Sequence, residues 1–136
     1  MKNGGAFYCA TYGEHGIIEY LSCLLKDHGV EDTVNRNFTL QNGSAFLEKM
    51  FGHVDKFEYP GALAVTDLDD MVNYIYSLSS MTTLIRVPKE DVKAILSQNM
   101  TDGALLVPKE YGMFITRQTA FRDVERCMEM LFFCFK

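Results

Sequence analysis

The chain has 136 residues, with 13 Lys and Arg against 18 Asp and Glu, giving a formal net charge of −5. That length suits one soluble domain that buries its core without disulfides or a structural metal. The acidic balance lacks the basic patch that phosphate-backbone binding requires, which excludes nucleic acid as an expected partner.

Membrane insertion is excluded on similar grounds. The longest unbroken apolar run, Met130 to Phe135, falls far short of the ~18 to 20 residues that span a bilayer. The start Met1-Lys2-Asn3-Gly4-Gly5 is not followed by the long apolar stretch of a secretory signal, so the expected location is cytoplasmic. Cys9, Cys23, Cys127 and Cys134 form no C-x-x-C pair and have no His at zinc-finger spacing; they are expected to be buried free thiols.

In chain order, Ala6 to Thr11 is a short continuous apolar run, expected as a central strand buried on both faces. Thr11-x-x-Glu14 has the form of a capping box. The apolar residues Ile17, Ile18, Tyr20, Leu21, Leu24 and Leu25 follow at helical spacing, predicting a helix from about Glu14 to His28 that Gly29 ends. Val30 to Phe38 is polar and aperiodic, with Asp32, Asn35 and Asn37 favouring turns, so a loop is expected there. Asn42-Gly43-Ser44 offers a cap for a short helix with Phe46, Leu47, Met50 and Phe51 on one face, closed by Gly52.

Val54 to Tyr59 alternates partly, and Pro60-Gly61 is expected to break the strand before Ala62 to Thr66 resumes it. Thr66-Asp67-x-Asp69 caps a helix carrying Leu68, Met71, Val72, Ile75 and Leu78, and Pro88 opens another that ends near Asn99. Leu105 to Val107 and Met113 to Thr116 are expected as strands on either side of a turn over Pro108 to Gly112. Phe121, Val124, Met128 and Leu131 line one face of an expected terminal helix, whose apolar end must be covered. The order strand, helices, strand, helices, strand indicates α/β architecture.

Four stretches carry a family resemblance. Met1-Lys2-Asn3-Gly4-Gly5 with the strand behind it resembles the L-K-P-G-G turn and fifth strand of class I S-adenosylmethionine-dependent methyltransferases. Phe38 to Gly43, Leu63 to Ser77 and Gly112 to Arg117 follow in the order that family has them. The resemblance covers residues 1–118, a methyltransferase-like substrate-side region, and leaves 119–136 as an apolar tail. It implies a partial Rossmann-like sheet made of the C-terminal strands 5, 6 and 7 with flanking helices, the last strand antiparallel.

By the same resemblance, the ancestral reaction is methyl transfer to a small molecule, and Thr11, Tyr12, Glu14, His15, Phe38 and Asn42 are candidate substrate-binding residues. The chain departs from the family's T-N-G-x-x-H pattern: Tyr12 replaces the Asn, and His15 falls one position early. From the residues alone, Thr11 and Glu14 are explained as a helix cap, His15 as a solvated first-turn side chain, and Phe38 to Gly43 as a loop entering a capped helix.

The glycines at 4, 5, 13, 16, 29, 43, 52, 61, 103 and 112 never adopt the G-x-G-x-G spacing that holds S-adenosylmethionine in this class. The chain therefore looks like a truncated product, a fragment or one piece of a split enzyme, inactive alone and binding no cofactor by itself. Homo-oligomerisation, for instance as a homodimer, or pairing with a separate cofactor-binding chain is expected. The alternative is a noncatalytic oligomerising or small-molecule-binding module derived from that fold. Asp67, Asp69 and Asp70 are better explained as a helix start than as a metal site.

Overall fold

The computed structural model describes residues 5–78, 83 and 86–117. Among these, three strands and four helices alternate: β1 (Ala6–Tyr12), α1 (Ile17–Leu24) with a 3-10 turn at Lys26–His28, α2 (Gly43–Phe51), β2 (Val54–Val65), α3 (Leu68–Ser77), α4 (Lys89–Gln98) and β3 (Leu105–Arg117). The mixed α/β class read from the sequence is the one that forms. The strands make one antiparallel sheet in the order β1-β3-β2. The last strand thus runs against the first, in a register from Ala6 opposite Arg117 to Tyr12 opposite Tyr111. No helix among the described residues is long and apolar enough to cross a membrane.

Length suggested one core, yet the buried apolar residues gather in two clusters, and the chain divides into two compact units. The first, the aromatic unit, joins the described residues up to Glu14 with Asn35–Tyr59 and the described residues from Tyr111 to Arg117. Cys9, Phe38, Leu40, Leu47 and Phe114 form its core, flanked by Phe7, Phe46, Met50, Phe51 and Val54. Rings meet at defined angles: Phe38 and Phe114 lie edge-on with centroids 5.9 Å apart, and Phe7 stacks on Phe51 at 5.4 Å.

Two glycines let backbone approach these groups. A Cβ at Gly43 would lie 2.5 Å from the Phe114 ring, and one at Gly112 would collide with the Phe57 carbonyl oxygen and lie 2.6 Å from Leu40.

The second, aliphatic unit comprises His15–Val34 and Pro60–Glu110. Leu21, Leu25, Ile75, Val92, Leu96, Leu105 and Val107 are its most buried side chains. Asp67 caps α3 by accepting hydrogen bonds from the backbone N–H groups of Asp69 (2.9 Å) and Asp70 (3.2 Å), the arrangement expected of that acidic start. Lys93 bridges from α4 to Asp69 at 2.6 Å. The Tyr76 hydroxyl donates to the Val87 carbonyl, and the Lys89 ammonium lies 5.3 Å from the Tyr76 ring centroid.

Several expectations need correction. β1 is not central: among the described residues it ends the sheet order, and its side chains alternate between exposed and partly or fully buried, because one face meets the core of Phe38, Leu40 and Leu47 and the other meets neither buried cluster of the described residues. The capping box at Thr11 and Glu14 does not form. Thr11 belongs to β1, and α1 begins at Ile17 behind Gly16, which makes no side-chain cap bond.

Asn42 holds the N-cap position of α2, but its side chain turns back into the preceding loop. β2 runs unbroken through Pro60 and Gly61. A strand at the end of the sheet order tolerates a residue without an N–H. β3 likewise has no turn at Pro108; β1 pairs with Tyr111 to Arg117, so among the described residues Pro108 sits where β3 has a neighbour on one side at most.

Cys9 is a buried free thiol as expected, but Cys23 is exposed. The expected terminal helix over Phe121 to Leu131, and Cys127 and Cys134, lie outside the described residues.

Candidate functional site

The carboxyl end of β1 is joined to the loop 35–42 by a dense set of hydrogen bonds within the aromatic unit. The Leu40 N–H donates to the Tyr12 carbonyl at 3.0 Å, extending the strand by one backbone contact. The buried Thr11 hydroxyl donates to the Phe38 carbonyl at 3.2 Å, and the Tyr12 hydroxyl to the Asn35 carbonyl at 3.0 Å. Burial raises the Tyr12 phenol above its ordinary pKa, so it stays protonated as the donor this bond requires.

Glu14 is the centre of the set. Its carboxylate accepts from the Thr39 hydroxyl at 2.9 Å through one oxygen and from Arg36 Nε at 3.1 Å through the other. Its backbone N–H donates to Gln41 Oε1 at 3.0 Å. Asn42 then closes the loop on itself: Oδ1 accepts from the Thr39 N–H at 2.8 Å, and Nδ2 donates to the Arg36 carbonyl at 2.7 Å. The Asn35 side chain accepts from the Asn37 N–H at 3.0 Å, the Asx turn that its residue type favours.

Five of the six candidate residues, Thr11, Tyr12, Glu14, Phe38 and Asn42, are therefore in one unit and linked through this loop. Phe38 contributes its carbonyl, while its ring is buried against Phe46 and Phe114. His15 belongs to the aliphatic unit. Its ring is 66% exposed with Nδ1 3.0 Å from Glu19 Oε2 one helical turn on, and its backbone N–H donates to Glu110 Oε2 at 2.7 Å.

Arg36, Thr39 and Gln41 were missed by sequence reasoning. They lie in a stretch whose polarity marks it as a loop, and nothing in their spacing indicates that they converge on Glu14.

Chemically, the set is a clamp. Charge-assisted bonds to a carboxylate are shorter and stronger than neutral ones, and here they fix the loop against the strand end. Among the described residues no group of three His, Cys, Asp or Glu side chains is placed to hold a metal ion. No protein-family model matches the chain, and no curated protein matches it.

Proposed function

We propose that the chain corresponds to the substrate-side half of an S-adenosylmethionine-dependent methyltransferase acting on a small molecule, and that it transfers no methyl group by itself. The observation that carries this reading is the clamp. Two of the stretches that resemble the family, the end of the first strand and Phe38 to Gly43, are hydrogen-bonded together at the carboxyl end of β1. In open α/β sheets that end of a strand is where ligands bind. The antiparallel last strand agrees with what the resemblance implies.

The residues present do not fit the cofactor. Close backbone approach to S-adenosylmethionine requires glycines spaced in one loop, whereas Gly29 and Gly103 occur singly with positive φ, and Gly43 and Gly112 make room for the protein's own atoms. No catalytic step through that cofactor is therefore assigned to this chain. A separate cofactor-binding chain is part of the proposal.

One observation favours a second reading, that of a noncatalytic oligomerising or small-molecule-binding module. Both Glu14 oxygens are engaged by the protein's own donors, which suits a carboxylate that holds a loop.

Isothermal calorimetry with S-adenosylmethionine, alongside light scattering in the same buffer, tests the proposal. Absence of saturable heat from a folded chain is the expected result. Saturable binding would overturn the claim of inactivity. An open reading frame immediately upstream of Met1 that carries G-x-G-x-G would favour the split enzyme over the module.

A further inference from the structure

Among the described residues, β2 has β3 on one side and no strand on the other. Which of its backbone groups face outward follows from contacts inside the aromatic unit. The Thr116 hydroxyl of β3 donates to the His53 carbonyl at 2.9 Å, and the Phe57 carbonyl oxygen lies so close to Gly112 that a Cβ there would collide with it. Successive residues of a strand point their N–H and C=O groups to opposite sides. With Phe57 turned to β3, Lys56 and Glu58 present theirs outward. The side chains from Asp55 to Tyr59 are exposed, Phe57 by 45% and Tyr59 by 57%.

An edge strand of this kind is a template for pairing, and a lysine on it is a usual deterrent. Lys56 does not deter a strand that sets a carboxylate opposite it. Glu58 stands two residues on, its Oε1 at 2.5 Å from the Lys56 ammonium. The run Asp55-Lys56-Phe57-Glu58-Tyr59 is thus complementary in charge to itself read in the reverse direction.

We infer that β2 pairs antiparallel with β2 of a second copy, about a two-fold axis at Phe57. In that register Lys56 exchanges backbone hydrogen bonds with the partner's Glu58, and Glu58 with the partner's Lys56, so opposite charges stand face to face twice. Phe57 meets the partner's Phe57 at a non-hydrogen-bonded position, where Cα atoms approach to about 4.5 Å and aromatic pairs stabilise a sheet. Moving the axis to Lys56 or to Glu58 sets like charges opposite each other, which is destabilising. Pro60 has no N–H to donate and limits the ladder beyond Tyr59. A two-fold interface uses the same patch on both copies, so one self-complementary strand suffices. This dimer supplies the interface of the oligomerising reading and rests on that reading.

Light scattering of the full chain at tens of micromolar tests the pairing through charge reversal. The unaltered chain is expected as a dimer. Lys56→Glu and Glu58→Lys each set like charges opposite twice, and each should raise the dissociation constant about tenfold. An equimolar mixture of the two variants restores both opposite-charge pairs between unlike chains and should return to the dimer mass. Loss of the Lys56–Glu58 pair inside each chain cannot produce that rescue. Should either variant fail to fold by circular dichroism, Phe57→Cys takes its place. The Cα separation expected at that position suits a disulfide, and mild oxidation should give a dimer linked 57 to 57 in mass spectrometry.

A dimer that both charge variants leave intact would overturn this interface and spare the oligomerising reading. An unaltered chain that stays monomeric would overturn both. Absence of rescue in the mixture, or of the 57 to 57 link, would overturn the pairing as well.

Discussion

The aromatic unit fills its interior with rings held at particular angles, Phe38 edge-on to Phe114 and Phe7 stacked on Phe51. The aliphatic unit fills its own with Leu, Val and Ile from α1, α3, α4 and the first half of β3. Aliphatic burial is non-directional and scales with area, so the second core requires only that apolar stripes face inward. Ring packing has preferred geometries, and here it also demands two positions with no side chain, Gly43 and Gly112. The unit with the stricter packing is the one that carries the clamp around Glu14.

Mutation can break this comparison. The largest expected effect is Phe114→Ala, which empties a fully buried site and should cost about 3–5 kcal/mol. Leu96→Ala, equally buried in the aliphatic unit, should cost about 2–5 kcal/mol. Hydrogen exchange distinguishes the two: the first variant should expose mainly amides of β1 and α2, the second mainly those of α3 and α4. Loss of protection everywhere in both variants would dissolve the distinction between the cores.

Gly112→Ala comes next. Its added methyl meets a backbone carbonyl, which cannot swing aside, so a loss of about 1–3 kcal/mol is expected from overpacking. Gly29→Ala, with open space around its Cβ but a φ of 75°, should cost only about 1 kcal/mol. Denaturant midpoints of the two variants would show whether close approach in the aromatic unit outweighs a left-handed turn in the aliphatic one. Asp67→Ala, which removes the cap of α3, belongs near 1 kcal/mol as well.

The smallest effect is one of pH. Burial raises the Cys9 thiol above its ordinary pKa, while Cys23 lies exposed. An acid whose folded-state pKa is raised contributes stability that is complete below its unfolded value and is lost as pH rises through the raised one. Site-resolved alkylation should therefore modify Cys23 well before Cys9, with Cys9 lagging until alkaline pH. Equal rates would mean that the aromatic core opens to solvent far more readily than its packing indicates.

Legibility in the sequence followed the range of the interaction. Leu68, Met71, Val72 and Ile75 announce α3, and Asp67 announces its cap, because helical periodicity and capping act within a few residues. Gly29 ends its helical segment in the left-handed conformation for the same local reason. The clamp was legible only in part. Thr11, Tyr12, Glu14, Phe38 and Asn42 were marked by resemblance and by position after a strand, but Arg36, Thr39 and Gln41 reach Glu14 across a chain separation that no local pattern encodes.

By itself, then, the sequence determined the α/β class, the α3 cap, the glycine that ends the first helical segment and the apolar stripes of α2, α3 and α4. Only the tertiary structure decided that β3 lies between β1 and β2, that Pro60 and Pro108 sit inside continuous strands, and that Thr11 and Glu14 serve a loop instead of a helix start. The reason is physical. A proline's missing N–H and a carboxylate's choice of partner matter only relative to neighbours brought close by folding, and strand order is set by which faces are buried together.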